Sequence, residues 1–257
     1  MTNPPANPAD TAGQPADIRA VRAIVFDAVG TTLAPEPAVT AAYAAAGEQF
    51  GSQLTLPEIR QRFDRAFDRQ EQLDAATGQV TDEARERRRW EEIVAEVFGE
   101  IASRPLFDFL WDYFADPANW KVYDDVPPSW AALEQQGFTL CVASNFDARL
   151  TSVVRGLPPL DRCERVFISS LLGARKPGRA FFAAVEAKLQ LEPRQILMVG
   201  DGRVNDYQAA LAAGWPAVLL DRDRTGQDIG RDDTADQQAP PGSIVRSLAQ
   251  LPELLRG

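Results

Sequence analysis

Five residues that could do chemistry lie at or near the ends of short apolar segments in this 257-residue chain. Asp27 follows one apolar run, Ser144 ends a second, and Asp201 follows a third, with Asp206 five positions later and Lys176 between the second and third runs. Short apolar runs are typical of buried parallel strands, and open α/β sheets hold their active sites at the carboxyl ends of such strands. The pattern predicts one site with a nucleophilic carboxylate, an anion-binding hydroxyl, an ammonium group and a metal-binding acidic pair.

The order of these residues resembles the haloacid dehalogenase (HAD) superfamily of hydrolases. Asp27 matches the nucleophile of the first motif, Ser144 the second motif, Lys176 the third, and Asp201 with Asp206 the fourth. Each motif alone is common, because many strands end in Asp or Ser. The order and spacing together carry the resemblance, which covers nearly the whole chain.

The resemblance implies a magnesium site as well as a nucleophile. Asp27, the main-chain carbonyl of Val29 and Asp201 would bind the ion, and Asp206 would hold a bound water or Lys176. Oxygen ligands of this kind suit Mg²⁺, a hard cation. The ion would neutralise the phosphoryl group that the Asp27 carboxylate attacks.

The substrate-binding residues implied by the resemblance are Ser144, Asn145, Lys176 and Thr31. Ser144 and the amide of Asn145 would bind oxygens of the transferring group, and Lys176 would offset the negative charge around the nucleophile. The alternative role for Ser144 is a helix N-cap, which is compatible with anion binding because amides at a helix start also bind anions. The alternative for Lys176 is a solvated surface charge.

Position 29 departs from the pattern of the superfamily. The usual first motif, Asp-x-Asp-Gly-Thr, has a second aspartate that acts as general acid and base, and here that residue is Val29. Loss of a general acid typically lowers a rate by ~10²–10⁴. The sequence leaves three hypotheses: a phosphatase, most simply of a small phosphorylated metabolite; a different HAD reaction; or a phospho-ligand-binding protein without turnover.

Two branches of the superfamily have no acid at this position. Phosphonoacetaldehyde hydrolases have alanine and use a cap lysine, but the only lysines of this chain are Lys121, Lys176 and Lys188, all outside the predicted cap. The 2-haloacid dehalogenases have tyrosine, need no metal and lack the full acidic pair present here. A phosphoric monoester hydrolase is therefore the leading hypothesis, with C–halogen hydrolysis as an alternative.

The period of the apolar residues predicts the domain organisation. Residues 36–120 follow helical spacing and predict a helical cap, whereas residues 21–35 and 121–257 alternate helices with apolar runs. The latter pattern predicts an α/β core, a doubly wound, Rossmann-like parallel sheet. Residues 1–20 are rich in Pro and Ala and predict a disordered tail.

The composition narrows the possible partners. The net charge of −10 argues against nucleic acid and anionic membranes, which need basic surfaces. The absence of histidine excludes Ser-His-Asp catalysis and His-ligated zinc. A small phosphorylated molecule is the expected ligand, and we expect a cytoplasmic protein that is a monomer or homodimer.

One basic segment, Arg85 with residues 87–89, suggests a phosphate-binding surface at first sight. Glutamates interleave with these arginines, a pattern typical of the solvated face of a helix. We therefore predict that these arginines lie on the surface.

Overall fold

The computed structural model describes residues 18–222 and 244–256 of the chain. The predicted tail is described only at Ile18–Ala20, which form a 3₁₀ turn, and residues 223–243 of the predicted core lie outside the described residues. None of the helices in the described ranges is both long and apolar enough to cross a membrane.

A six-stranded parallel sheet forms the core. Its strands are β1 (Ala23–Asp27), β4 (Thr139–Ser144), β5 (Arg165–Ile168), β6 (Ile196–Gly200), β7 (Ala217–Leu220) and β8 (Ile244–Val245). Their order is β5-β4-β1-β6-β7-β8, so β1 lies between β4 and β6. The predicted α/β fold class is confirmed, and the three strands that carry Asp27, Ser144 and Asp201 are direct neighbours.

Helices cover both faces of this sheet. The core helices are α5 (Val126–Gln135), α6 (Arg149–Arg155), α7 (Ser169–Leu172), α8 (Arg179–Leu189), α9 (Ala209–Ala212) and α10 (Leu251–Leu254). Successive residues of β1 point to opposite faces: Phe26 lies 5.4 Å from the Trp130 ring, whereas Val25 belongs to a separate apolar cluster that includes Phe182 and Trp215. Burial on both faces explains why these strands are apolar throughout.

Along the chain, four helices lie between the first core strand and the rest of the core. They are α1 (Val39–Gln49), α2 (Leu56–Ala76), α3 (Glu83–Phe98) and α4 (Arg104–Tyr113). A two-stranded antiparallel ribbon, β2 (Leu33–Pro35) with β3 (Trp120–Val122), joins the segments that lead into and out of these helices. The helices fall inside the predicted cap, whose limits at residues 36 and 120 stay a prediction.

The cap helices follow local signals in the sequence. At the start of α2, the backbone amide of Thr55 donates to the Glu58 carboxylate at 2.8 Å, as expected for a capping box. Ile59 and Phe63 of the same helix are buried, and Phe63 packs edge-on against Tyr43 of α1 at 5.0 Å. The four-residue spacing of apolar side chains thus builds one packed helical layer.

Candidate active site

The carboxyl ends of β1, β4 and β6 meet at one edge of the sheet. Asp27 is the last residue of β1 and pairs in register with Ala143, next to Ser144 at the end of β4. Asp201 directly follows β6, and Asp206 lies in a π-helical turn, Arg203–Gln208, that follows it. The topology therefore brings four of the predicted site residues to one place.

Lys176 holds two of the carboxylates together. Its Nζ donates to Asp27 Oδ1 and to Asp206 Oδ1, both at 2.6 Å, and to the carbonyl of Ala143 at 3.2 Å. The side chain is only 2 % exposed. Burial by itself would lower the pKa of Lys176, but the charges of Asp206 and Asp27 outweigh it and hold that pKa above its ordinary value. Lys176 is therefore a buried, fully bonded cation and not a surface charge.

Asp27, Asp201 and Asp206 form a compact acidic cluster. Each offers one carboxylate oxygen, and these three oxygens lie within 4.8 Å of one another. Burial raises the pKa of Asp27 to about 8; Lys176 opposes this rise, and Asp206 and Asp201 add to it. Three carboxylate oxygens this close together form a donor set that suits a hard divalent cation.

Glycine makes the close approach of these carboxylates possible. Gly30 has a φ of +89°, and a Cβ there would lie 2.6 Å from Asp201 Oδ2. A side chain at this position would therefore push Asp201 away from Asp27. The donor set and this clearance both fit a hard divalent ion bound by Asp27, Asp201 and a main-chain carbonyl of the loop.

One neighbouring side chain and one backbone amide fix the acidic residues. The Thr31 hydroxyl donates to Asp201 Oδ1 at 3.1 Å and accepts from the Asp201 amide at 3.0 Å. The amide of Gly202 donates to Asp206 Oδ2 at 2.9 Å. Thr31 is fully buried and positions Asp201; its assignment as a substrate ligand stays a prediction.

Asn145 plays a similar positioning role for Lys176. Its side-chain amide donates to the carbonyl of Lys176 and accepts from the Lys176 amide, both at 2.8 Å. Ser144 is 4 % exposed and lines the cavity described below. The N-cap of the following helix, α6, is Ala148, so the alternative role of Ser144 as an N-cap is wrong.

A cavity of about 280 Å³ lies against this cluster, between the core and the cap helices. Val29 lines it together with Asp27, which places the apolar substitution of the first motif inside the candidate site. Asp147, the acid nearest to Ser144 in sequence, could in principle replace the missing proton donor. It is fully buried and its two carboxylate oxygens accept from Arg149, each at 2.7 Å, so it is a structural partner of that arginine.

The sequence interpretation of the cap arginines is wrong for Arg89. This side chain is only 2 % exposed, lines the cavity, and forms ion pairs with Asp74 and Glu71. Arg175, next to Lys176, donates to Glu86 at 2.7 Å and to Glu71 at 2.8 Å. The sequence did contain a signal for this burial, because positions 86 and 89 continue the buried face of α3 from Ile93 toward the start of the helix.

Comparison with known proteins identifies the class. A family model for haloacid dehalogenase-like hydrolases matches residues 21–214, and the chain belongs to this family. Among named proteins, the chain is 27 % identical over 242 residues to "Haloacid dehalogenase-like hydrolase domain-containing protein 3" of Danio rerio, covering 92 % of this chain and 97 % of the relative. The human protein of the same name is 26 % identical over 237 residues, covering 90 % and 92 %.

Solved structures with the same fold include two kinds of hydrolase. L-2-haloacid dehalogenase from Xanthobacter autotrophicus has a TM-score of 0.70 at 20 % identity, covering 92 % of this chain and 99 % of that one. A HAD phosphatase from Thermococcus onnurineus has a TM-score of 0.59 at 22 % identity, with the same coverages of 92 % and 99 %. At these identities the likeness concerns the fold.

Proposed function

We propose that this chain is a magnesium-dependent phosphatase that acts on a small phosphorylated metabolite through a phosphate group transferred to Asp27. The observation that supports this most is the acidic cluster of Asp27, Asp201 and Asp206 around the Lys176 ammonium group. Carboxylate oxygens grouped in this way favour a divalent cation, and a bound cation in turn favours a phosphoryl group beside the nucleophile.

In this proposal each residue of the site has its own role. Asp27 attacks phosphorus, and Ser144 and the Asn145 amide bind oxygens of the phosphoryl group. Lys176 keeps the Asp27 carboxylate in place, because its ammonium group already bridges Asp27 and Asp206. Asp27, Asp201 and the Val29 carbonyl would hold Mg²⁺, which would supply positive charge that lowers the repulsion between the carboxylate and the phosphate.

A second candidate is hydrolysis of a carbon–halogen bond, and Val29 is the observation that favours it. A halide leaves without a proton, so an apolar residue at this position would not hinder its departure. The acidic cluster weighs against this reaction, because without a bound cation its carboxylates would repel an anionic 2-haloacid in the same cavity.

Turnover in the presence and absence of Mg²⁺ separates these candidates. The wild-type protein and Asp27→Asn are each offered a panel of phosphate esters and 2-chloropropionate, with Mg²⁺ or with EDTA. We expect phosphate release that needs Mg²⁺ and disappears in Asp27→Asn. Halide release in EDTA would favour dehalogenation, and equal inactivity of both proteins on the whole panel would favour a non-catalytic, ligand-binding protein.

The remaining sequence-based expectations stay predictions. They are a cytoplasmic location, a state of monomer or homodimer, and the absence of nucleic-acid and membrane partners. Size-exclusion chromatography with light scattering checks the oligomeric state directly.

A further inference from the structure

Aromatic rings make up much of the wall of the cavity beside the acidic cluster. Phe67 of α2 and Trp90 of α3 are both partly exposed there, so their rings can contact a ligand. The aromatic residues that line the cavity are Phe63, Phe67, Trp90, Phe114, Trp120 and Phe146. Rings at this density favour a flat, apolar ligand group, since burying such a group against rings is favourable and geometrically specific.

The charged groups of the same wall are matched with each other. Arg89 is paired with Asp74 and Glu71, and Arg175 with Glu86 and Glu71. These pairs lie within one buried network, so the positive charge of each arginine is compensated by cap carboxylates. The wall therefore offers aromatic contacts, and it has little net positive charge that could bind a second anionic group of a substrate.

Arg149, a third arginine of the cavity wall, is also compensated. It forms an ion pair with Asp147 at 2.7 Å, and its guanidinium carbon lies 3.6 Å from the centre of the Trp111 ring. Stacking on that ring and pairing with that carboxylate fix the guanidinium in place. Arg149 thus brings a compensated charge to the cavity lining.

Val29 sets a second condition on the substrate. It lines the cavity beside Asp27 and cannot give a proton to a departing oxygen. Glu71 and Glu86, the cap carboxylates that line the cavity, are ion-paired with Arg175 and act as hydrogen-bond acceptors there. A leaving group that departs as a stable anion avoids the need for a proton, whereas an alkoxide does not.

We infer that the substrates are aryl phosphates, in which the leaving group is both flat and acidic; this inference rests on the proposed function. The Asp27 carboxylate oxygen forms a bond to phosphorus, and the bond between phosphorus and the aryl oxygen breaks. The electron pair leaves with the aryl oxide, which takes a proton from solvent. Water then attacks phosphorus and gives a proton to solvent, the bond to Asp27 breaks, and inorganic phosphate is released with the Asp27 carboxylate restored.

Four phosphate compounds separate the ring from the acidity of the leaving group. 4-Nitrophenyl phosphate has both features, acetyl phosphate has an acidic leaving group without a ring, benzyl phosphate has a ring with a poor leaving group, and ethyl phosphate has neither. We expect benzyl phosphate to inhibit at least about tenfold more strongly than ethyl phosphate, from burial of the ring. We also expect it to be turned over far more slowly than 4-nitrophenyl phosphate.

Trp90→Ala tests the contribution of the aromatic wall. We expect kcat/KM for 4-nitrophenyl phosphate to fall roughly three- to tenfold, the usual range for loss of one ring contact, with kcat/KM for acetyl phosphate unchanged. Phe109→Ala, which removes an exposed ring of α4 outside the cavity lining, is the matched control and should change neither value. Trp90→Phe should restore most of the loss.

The outcomes distinguish this inference from the proposed function. Equal inhibition by benzyl and ethyl phosphates would overturn the role of the ring. Equal turnover of benzyl and 4-nitrophenyl phosphates would overturn the role of the leaving group. In both cases Mg²⁺-dependent phosphatase activity would stand, whereas failure of all four compounds to release phosphate would overturn the proposed function itself.

Discussion

Two buried ionic clusters lie close to the same cavity, and they differ in how their charged groups are arranged. In the cap cluster, Arg85, Arg89 and Arg175 are matched by Glu71, Asp74 and Glu86. In the acidic cluster, Lys176 contacts Asp27 and Asp206, and Asp201 brings a third carboxylate to the same point. Both clusters are largely removed from water, where an unmatched charge is expensive.

The difference separates a structural role from a chemical one. Matched charges in the cap cluster join α2 and α3 to the loop that carries Lys176, and they need nothing from outside the chain. In the acidic cluster, three carboxylate oxygens lie within 4.8 Å of one another, and burial raises the pKa of Asp27 to about 8 although Lys176 opposes the rise. This grouping of carboxylates is the feature that favours a cation and a phosphoryl group.

Adding one carboxylate beside the nucleophile should have the largest effect. We expect Val29→Asp, with Mg²⁺ present, to raise turnover of alkyl phosphates by ~10²–10⁴, because it supplies a general acid and base. Single-turnover kinetics would separate phosphorylation of Asp27 from its hydrolysis.

Val39→Asp is the matched control for this gain. Val39 also lines the cavity but belongs to α1 of the cap, so the added carboxylate should not accelerate either step. If Val29→Asp accelerates neither step while the fold and metal affinity are normal, the account of a missing proton donor is wrong.

The cap cluster should respond to loss of a carboxylate by losing stability. Asp74 is 1 % exposed and contacts all three arginines of its cluster, so Asp74→Asn leaves buried positive charge unmatched. We expect a loss of about 3–5 kcal/mol in the free energy of unfolding, measured by urea denaturation in EDTA. The isosteric Asp201→Asn should cause no such loss, and a comparable loss there would remove the contrast between the clusters.

Metal affinity, unlike stability, should depend on Asp201. Asp201→Asn should weaken Mg²⁺ binding roughly ten- to hundredfold, because a carboxylate near the ion is replaced by a neutral amide. Isothermal titration calorimetry measures this, with Asp108→Asn as a control of equal charge change on the exposed surface of α4. Unchanged affinity in Asp201→Asn would contradict the assigned metal site.

A further predicted effect is a gain in stability of the metal-free protein. Folding raises the pKa of Asp27 from 3.8 to about 8, so the folded state binds a proton more tightly than the unfolded state does. Wild-type stability contributed by this group is therefore lost as pH rises from about 4 to about 8. In EDTA, Asp27→Asn should be more stable than wild type by a margin that grows over this range.

Thermal unfolding across that pH range tests the sign of this difference in stability. The margin should shrink when Mg²⁺ is added, because the cation binds the wild-type carboxylate and favours its ionised form. A margin that is absent at high pH in EDTA would show that Lys176 compensates Asp27 fully.

The sequence predicted the parallel sheet and the site at its edge for identifiable reasons. Strands buried on both faces are apolar without interruption, and a carboxylate directly after such a run, as at Asp27 and Asp201, marks its end. The order of motifs then implied which strand ends meet. The π-helical turn at Arg203–Gln208 and the short ribbon of β2 with β3 were not predicted, because neither has a distinctive apolar period.

Arg89 was misassigned because charge was taken as a sign of exposure. Its partners, Glu71 and Asp74, are on α2, and Arg175 is in the core, so the matching charges are distant in sequence. Only the packing of α2 against α3 brings them together. Pairing across elements of this kind cannot be read from helical spacing alone, although the buried stripe of α3 does extend to position 89.

The most direct test of the account is a search for phosphate on Asp27. Stoichiometric amounts of protein and 4-nitrophenyl phosphate are mixed with Mg²⁺, quenched in acid and analysed by mass spectrometry, while release of 4-nitrophenolate is followed in parallel. Because Val29 cannot activate water for the second step, we expect a burst of about one 4-nitrophenolate per protein, with a phosphate group on Asp27. Release of 4-nitrophenolate without covalent phosphate, at the same rate in Asp27→Asn, would contradict the account.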